Sequence, residues 1–221
     1  MARFARLVVP EYPHHITQRG VRSMDVFADN HDRLTYLQIM AEESATSGVT
    51  ILAWCLMTNH VHLIAVPEKE ESLARAIGES HRRYTRMKNF KEGVRGYLFQ
   101  GRFGSCVLDQ QHLLAAARYV ERNPVVAGMV SSPVDYPWSS ARYHCGMSDQ
   151  DPLIKTPQLP ELVDDWSQFL QTTDEKQDRL IFQKTKTGRP VGGAAFIEKL
   201  EQSTGRVLKM KAPGRPGIER K

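Results

Sequence analysis

Two apolar segments with only two residues between them constrain the fold most. Residues 50–57 read TILAWCLM and residues 60–67 read HVHLIAVP, so that only Thr58 and Asn59 separate them. This is the spacing of a tight β-hairpin, whose two strands pair antiparallel. We therefore expect a sheet that is largely antiparallel.

Helices are predicted on both sides of this hairpin. In chain order we expect a strand at 14–18, a helix at about 31–47, the hairpin, a helix at about 72–89, extended chain at 97–108 and a helix at about 110–122. Asn30 is predicted to cap the first helix, and Leu34 to lie on its apolar stripe. Asn123-Pro124 is predicted to close the third helix. Strands mixed with single helices indicate an α+β fold with flanking helices.

Composition argues against a wholly disordered or fibrous chain and against a small disulfide-rich protein. The chain has 221 residues, of which 41% are hydrophobic and 25% charged, as in globular proteins. Its three cysteines form no CxxC pair, which suits a reducing compartment. We find no export signal and no apolar run of the roughly 18 residues that a membrane span requires, so we expect a cytoplasmic protein with no membrane partner.

The chain changes character after about residue 146. Prolines and polar residues dominate from 147 to 192, with helical pieces predicted near 174–184 and 196–203. Residues 206–221 then hold six basic residues against one acid, within a chain of net charge +5. We predict a domain at 1–146 and a C-terminal extension at 147–221 that is partly ordered and ends in a basic arm.

A second basic region, residues 81–103, alternates arginines and lysines with aromatic rings. Such a mixture can hold a phosphate chain and stack its bases. A solvated helix face explains the same pattern. The interleaved rings are those of Tyr84, Phe90, Tyr97, Phe99 and Phe103.

Two histidines stand two residues apart in the second strand of the hairpin. Side chains alternate faces along a strand, so His60 and His62 point the same way and their imidazoles can bind one cation. Val61, Leu63 and Ala65 then face a packing helix. Two histidines alone do not make a metal site, and a polar cross-strand surface is the competing interpretation.

The third predicted helix carries a polar face. His112, Tyr119 and Asn123 stand at i, i+7 and i+11, and the small residues Ala115 and Ala116 lie between them. Small neighbours leave the Tyr119 hydroxyl accessible. From the helix alone, the favoured interpretation is that Tyr119 merely flanks the core, and Asn123 also has a structural role as the C-terminal residue of the helix before a proline.

Taken together, these segments resemble the REP-associated tyrosine transposases, relatives of the single-tyrosine HUH transposases of bacterial insertion sequences. The resemblance rests on MTNHVHLIAVP, on RRYTRMKN followed by GYLFQGRF, on HLLAAARYVERNPVVAGMV, and on DYPWSSARYH, in this order. It covers about residues 8–146. Thr58 stands where proline is common before NHVH, and Val21 where asparagine is common after QRG.

The resemblance implies a ferredoxin-like HUH core in which His60, His62 and Asn123 bind a divalent metal, Mg²⁺ or Mn²⁺, and Tyr119 is the nucleophile. It implies cleavage and rejoining of single-stranded DNA at hairpin-forming repetitive extragenic palindromes, through a 5′-phosphotyrosine, by a monomer or homodimer associated with the nucleoid. The basic residues assigned to DNA are Arg82, Arg83, Arg86, Arg95, Arg102, Arg206, Lys209, Lys211 and Arg215.

Several alternatives stay open. Tyr84 is a rival nucleophile, although its place in an apolar series favours packing, and His112 is a candidate general base. The same fold also suits a protein that binds nucleic-acid hairpins without cutting them. A metallohydrolase that uses His60 and His62 would need a nearby carboxylate, and Asp109 and Glu121 are the only acids near these motifs, neither on the Tyr119 face.

Overall fold

The computed structural model describes residues 6–209. Its strands are β1 (His14–Arg19), β2 (Val49–Leu56), β3 (His60–Pro67) and β4 (Gly104–Val107). Its α-helices are α1 (Asn30–Ser47), α2 (Ser72–Glu92), α3 (Gln110–Val126), α4 (Ala141–His144), α5 (Trp166–Gln171), α6 (Glu175–Thr187) and α7 (Ala194–Thr204).

The four strands form one sheet in the order β2-β3-β1-β4, and every neighbouring pair is antiparallel. Along the chain the first six elements run β1-α1-β2-β3-α2-β4. This order and this sheet arrangement are those of a ferredoxin-like fold. The predicted α+β class and the predicted hairpin are confirmed.

Helices α1 and α2 cover one face of the sheet. Val61, Leu63 and Ala65 are fully buried on that face, within a core that also contains side chains of both helices. Because side chains alternate along β3, the neighbouring His60 and His62 point to the opposite face. The alternation of side chains along the strand, read from the sequence, thus predicts the face of His60 and His62 correctly.

The start and the stripe of α1 differ from the prediction. Asp29, not Asn30, is the N-cap, and its carboxylate accepts a hydrogen bond of 2.8 Å from the Asp32 backbone N–H. Leu34 is 58% exposed. The buried stripe is centred on Tyr36 and Met40, and Leu34 lies two residues before Tyr36, about 200° around the helix from it.

Helix α3 packs on the other face and continues through the predicted stop at Asn123-Pro124 to Val126. A proline inside a helix loses the hydrogen bond to the carbonyl four residues before it. The bond lost here is the one from position 124 to the Val120 carbonyl, and the helix continues beyond it, since the Ala127 N–H donates to the Asn123 carbonyl at 2.9 Å. The helix therefore ends four residues after the predicted end at residue 122.

The segment after residue 146 packs against α3 and the sheet. Trp166, Leu170 and Ile181 are buried in the same core as α3, and the two predicted helices appear as α6 and α7. The segment is therefore more closely joined to the sheet than its composition indicates. The domain boundary at residue 146 stays a prediction.

Within residues 6–209, no helix is both long and apolar enough to span a bilayer.

A buried carboxylate joins α3 to the two helices that follow it. One oxygen of Glu121 accepts hydrogen bonds from the Ser140 hydroxyl at 2.5 Å and from His144 Nδ1 at 2.6 Å, and the other accepts from Trp166 Nε1 at 2.8 Å. Ser140 is the N-cap of α4 and His144 its last residue, whereas Trp166 begins α5. Glu121 therefore fixes the rotation of α3 and, with it, the face that Tyr119 presents.

Candidate functional site

Four side chains converge between β3 and α3. The rings of His60 and His62 are 4.9 Å apart between centroids. The Tyr119 ring meets His62 at 5.5 Å with perpendicular planes. Asn123, one turn further along α3, donates from its amide to the Tyr119 backbone carbonyl at 3.2 Å, and this amide acts on the pKa values of both His60 and Tyr119. The structure thus brings together the four residues that the sequence motifs single out.

The environment of Tyr119 opposes its ionisation. Burial raises the pKa of the Tyr119 hydroxyl, whereas the hydrogen bond with Asn123 lowers it by a smaller amount. The helix surface next to the ring is formed by the buried small residues Ala115 and Ala116. Tyr119 itself is only partly buried, so its hydroxyl is reachable, but a proton acceptor is needed for it to ionise.

Asn59 sets the orientation of His60. The Asn59 amide nitrogen donates to the Ser23 carbonyl at 3.2 Å, so its oxygen is the atom that faces His60 Nδ1 at 2.7 Å. A carbonyl oxygen only accepts, and His60 Nδ1 must therefore carry the hydrogen. Burial lowers the pKa of His60 to about 4. The ring is neutral near pH 7, and its Nε2 presents a lone pair.

His62 is held by a third histidine that the sequence analysis missed. His62 Nδ1 lies 2.9 Å from His15 Nε2, and the two rings stack with a centroid distance of 5.2 Å. Burial lowers the pKa of His15 to about 3 and that of His62 well below its usual range. Both rings are neutral. Only the register of β1 against β3 reveals the contact, because 47 residues separate the two histidines.

Arg19 adds a cation to the same face. It lies directly opposite His60 in the β1–β3 register. After burial, its positive charge also lowers the pKa values of His60 and His62, and it opposes the burial that raises the pKa of Tyr119. An exposed guanidinium at the edge of a neutral site suits an anionic ligand.

Asp178, on α6, is a second residue that the sequence analysis missed. Its negative charge contributes to raising the pKa of Tyr119. Burial raises the pKa of Asp178 itself. Its Oδ1 is buried and has no hydrogen-bond partner in the described part of the chain. A carboxylate in this state is a better proton acceptor than an exposed one.

His112 does not reach Tyr119, contrary to its suggested role as the base. Its Nδ1 lies 2.6 Å from Asp109 Oδ1, at the N-terminus of α3 and two turns before Tyr119. Tyr84 is fully buried, and its hydroxyl donates to the Val26 carbonyl at 2.8 Å. The predicted packing role of Tyr84 is confirmed.

The donors at this site fit a hard or borderline divalent cation. Two neutral imidazoles and one amide, with no thiolate, leave open positions for oxygen ligands. Among residues 6–209, no group of three or more His, Cys, Asp or Glu side chains is arranged to hold a metal. A site of two histidines completed by the Asn123 amide is consistent with that finding, because asparagine is not one of those residue types.

The sequence model of the family described as "Transposase IS200 like" matches residues 9–123, just over half of the chain. The match begins before β1 and ends at Asn123. This chain belongs to the IS200-like transposase family.

Among solved structures, the transposase is similar to one described as a REP-associated tyrosine transposase bound to a REP hairpin. The TM-score is 0.57 at 16% sequence identity, over 71% of this chain and 92% of that one. At this identity the similarity shows a shared fold. A search of curated proteins finds no match.

The predicted DNA-contacting arginines of α2 lie away from the Tyr119 site. They belong to the helix layer on the opposite face of the transposase sheet. Arg82 pairs with Glu79 at 2.5 Å, and Arg83 pairs with Glu42 and Glu43 at 2.8 and 2.7 Å. Arg86 is exposed on the same helix. The structure does not bring these three arginines to the site.

The segment after α2 carries the other basic residues of the cluster and its free rings. Arg95 and Arg102 are exposed there. Phe90 and Tyr97 are 90% and 89% exposed, whereas Tyr84, Phe99 and Phe103 are buried. The Gln100 N–H donates to the Arg19 carbonyl at 2.8 Å, which joins this segment to the end of β1. Two rings of the five are thus available to a ligand.

The predicted basic arm is described only in part. Arg206 donates to the Arg6 carbonyl at 3.1 Å, and Lys209 pairs with Glu198 at 3.1 Å. Lys211 and Arg215 lie outside the described residues.

Proposed function

We propose that this transposase cleaves and rejoins single-stranded DNA at hairpin-forming repetitive extragenic palindromes, with Tyr119 as the nucleophile. The observation that carries the proposal is the contact of the Tyr119 ring with His62, beside His60 and Asn123. The solved structure bound to a REP hairpin supports the choice of substrate, since it shares the fold.

His60 and His62, through Nε2, and Asn123, through its amide oxygen, would hold Mg²⁺ or Mn²⁺. When bound, the ion supplies a Lewis acid that offsets the negative charge developing on the scissile phosphate. The protein contributes two neutral imidazoles whose orientation is fixed in advance by Asn59 and His15. A preoriented pair needs little rearrangement on binding.

In the cleavage step the Tyr119 oxygen attacks phosphorus and loses its proton. The bond between phosphorus and the 3′ oxygen breaks, and that oxygen takes up a proton. The products are a 5′-phosphotyrosine and a free 3′-hydroxyl. One phosphate ester replaces another, so a different 3′-hydroxyl can reverse the step and join a new strand without a nucleotide cofactor.

We assign a role in this step to two residues that only the structure reveals, Asp178 and Arg19. Asp178 is our candidate proton acceptor for Tyr119 in place of His112, because its charge acts on that hydroxyl and its buried Oδ1 has no hydrogen-bond partner within residues 6–209. Arg19 would contact the non-bridging phosphate oxygens, since it projects its charge onto the same face.

The surface around Phe90 and Tyr97 would hold the rest of the DNA. Exposed rings stack on unpaired bases and neighbouring cations bind the backbone. Arg86, Arg95 and Arg102 form no ion pair within residues 6–209 and can bind phosphate, whereas Arg82 and Arg83 must exchange their carboxylate partners for phosphate. We also assign Arg206, Lys209, Lys211 and Arg215 to DNA, and we expect the protein to act in the cytoplasm near the nucleoid as a monomer or homodimer.

Incubation with an end-labelled single-stranded REP hairpin and Mn²⁺ tests this function. We expect a protein-DNA adduct that survives denaturing electrophoresis and a free 3′-hydroxyl on the released strand. Tyr119→Phe should bind the hairpin but form no adduct. Binding by the unmutated protein without cleavage in Mg²⁺ or Mn²⁺ would favour the hairpin-binding protein that does not cut.

A further inference from the structure

A chain of buried hydrogen bonds runs from α6 to the metal-binding face of His62. Thr185 Oγ1 lies 2.8 Å from the Ile181 carbonyl and 2.7 Å from His15 Nδ1, and His15 Nε2 lies 2.9 Å from His62 Nδ1. Thr185, His15 and His62 are all almost completely buried. No water is needed to connect the chain, because each contact is direct.

The single proton of the Thr185 hydroxyl sets the direction of this chain. The Ile181 carbonyl can only accept, so the hydroxyl donates to it, which is the usual back-bond of a threonine within a helix. The Thr185 oxygen then accepts from His15 Nδ1–H. The Cys106 thiol, 3.1 Å from the same oxygen, can donate to its remaining lone pair.

The direction of donation at Thr185 fixes the direction of the next hydrogen bond, between His15 and His62. A neutral imidazole carries one hydrogen, and His15 has it on Nδ1, so its Nε2 must accept. His62 therefore donates from Nδ1, and its own Nε2 keeps a lone pair. In the reverse direction Thr185 would donate to His15, His15 to His62, and the hydrogen would sit on His62 Nε2, where it blocks coordination.

We propose that Thr185 and His15 are positioning residues that hold His62 in the tautomer able to bind a metal ion. The inference rests on the metal role proposed for His62 and deepens it. Thr185 lies on α6, beyond the predicted transposase domain, so the extension supplies part of the site rather than only a basic arm.

A pair of substitutions at Thr185 isolates the hydroxyl. Thr185→Val keeps the branched shape but removes the acceptor for His15 Nδ1–H, and a buried donor without a partner is unfavourable. We expect the hydrogen of His15 to move to Nε2 and that of His62 to follow. Thr185→Ser keeps the hydroxyl. Thr187→Val is the matched control, since its exposed hydroxyl donates only to carbonyls of its own helix.

Two measurements read the result without relying on cleavage. In the metal-free protein, ¹⁵N chemical shifts of the histidine rings report which nitrogen carries the hydrogen. The wild type, Thr185→Ser and Thr187→Val should show His15 and His62 protonated on Nδ1, and Thr185→Val should show them on Nε2. Mn²⁺ affinity, followed by electron paramagnetic resonance, should fall about 10- to 100-fold in Thr185→Val only.

Urea unfolding of each variant establishes that it is folded before these measurements. His62 protonated on Nε2 in the wild type would overturn the inference, as would a Thr185→Val protein that binds Mn²⁺ as tightly as the wild type. Predicted tautomers in a wild type that binds no Mn²⁺ would instead overturn the metal role of His62 in the proposed function. The two failures are therefore distinguishable.

Discussion

The Tyr119 ring meets the His62 imidazole edge to face, with centroids 5.5 Å apart and planes at 90°. A residue of α3 and a residue of β3 thus share one contact, although 57 positions separate them in the chain. The contact places a phenol hydroxyl and two oriented imidazoles on one sheet face.

The first prediction separates metal binding from stability. His60→Ala should abolish Mn²⁺-dependent cleavage while changing the free energy of unfolding by less than about 1 kcal/mol, because His60 is only partly buried. His62→Ala should also cost about 1–3 kcal/mol, since it leaves the buried His15 Nε2 without its donor.

Cleavage assays and urea unfolding measure the two effects. The exposed His31 is the matched control, and His31→Ala should change neither. Undiminished cleavage by a variant with alanine at both His60 and His62 would contradict the proposal that these histidines bind the catalytic metal.

The second prediction concerns the proton of Tyr119. The negative charge of Asp178 contributes to raising the pKa of Tyr119, so Asp178→Asn should lower that pKa in the metal-free protein. Ultraviolet titration of tyrosinate, with Tyr119→Phe subtracted, measures the shift.

The same substitution tests Asp178 as the proton acceptor. If Asp178 takes the proton, Asp178→Asn slows cleavage at neutral pH even though the tyrosine has become easier to ionise. A rate that rises together with the lowered pKa would show that the carboxylate only repels the tyrosinate charge. Glu175→Gln, an exposed carboxylate at the start of the same helix, serves as the control.

The third prediction concerns the exposed rings after α2. Tyr97→Ala and Phe90→Ala should each weaken binding of a single-stranded hairpin by about 1–3 kcal/mol, because each removes a surface on which a base stacks. Their stability should hardly change, since both rings are about nine-tenths exposed.

Fluorescence anisotropy at fixed salt measures this affinity. Phe182, which is exposed on α6, provides a control ring outside this segment. Loss of affinity in Phe182→Ala equal to that in Tyr97→Ala would argue against a specific stacking surface.

The fourth prediction concerns acid. Burial lowers the pKa of His81 to about 3 and that of His14 to about 4, the latter against an opposing hydrogen bond to the Tyr12 carbonyl. In the unfolded chain both rings protonate near pH 6.5. The stabilising contribution of the neutral buried rings is therefore complete above about pH 6.5 and is lost progressively as the pH falls toward their folded pKa values.

Urea unfolding between pH 7 and pH 4 should show the free energy of unfolding falling with decreasing pH, by up to about 1.4 kcal/mol per pH unit for each such histidine. His81→Gln should make the fall shallower by one proton. If the free energy of unfolding depended on pH equally in His81→Gln and the wild type, His81 would not contribute to the loss of stability in acid.

Much of this site follows from local patterns. The two-residue gap at Thr58-Asn59 predicts the hairpin, alternation along β3 predicts the shared face of His60 and His62, and helical spacing predicts the shared face of Tyr119 and Asn123. Each inference involves residues within one element or two adjacent ones. The structure retains all three relationships.

The remaining site residues depend on packing between distant segments. His15 and Arg19 reach the site through the register of β1 against β3, and Thr185 and Asp178 through the docking of α6. No periodicity within α6 indicates which of its polar residues will face a strand 170 positions earlier. His112 is a different case: it lies on the predicted helix face, but its ring contacts the N-cap Asp109 only three residues away, a local contact that the spacing to Tyr119 does not reveal.

Peptide mass spectrometry of the trapped adduct tests the central claim most directly. After reaction with the REP hairpin and Mn²⁺, nuclease and trypsin digestion should leave a nucleotide remnant on residues 119–122, the tryptic peptide that begins with Tyr119. Residues 84–86, the peptide that begins with Tyr84, should be unmodified. A remnant on residues 84–86, or cleaved DNA with no modified peptide at all, would contradict Tyr119 as the nucleophile.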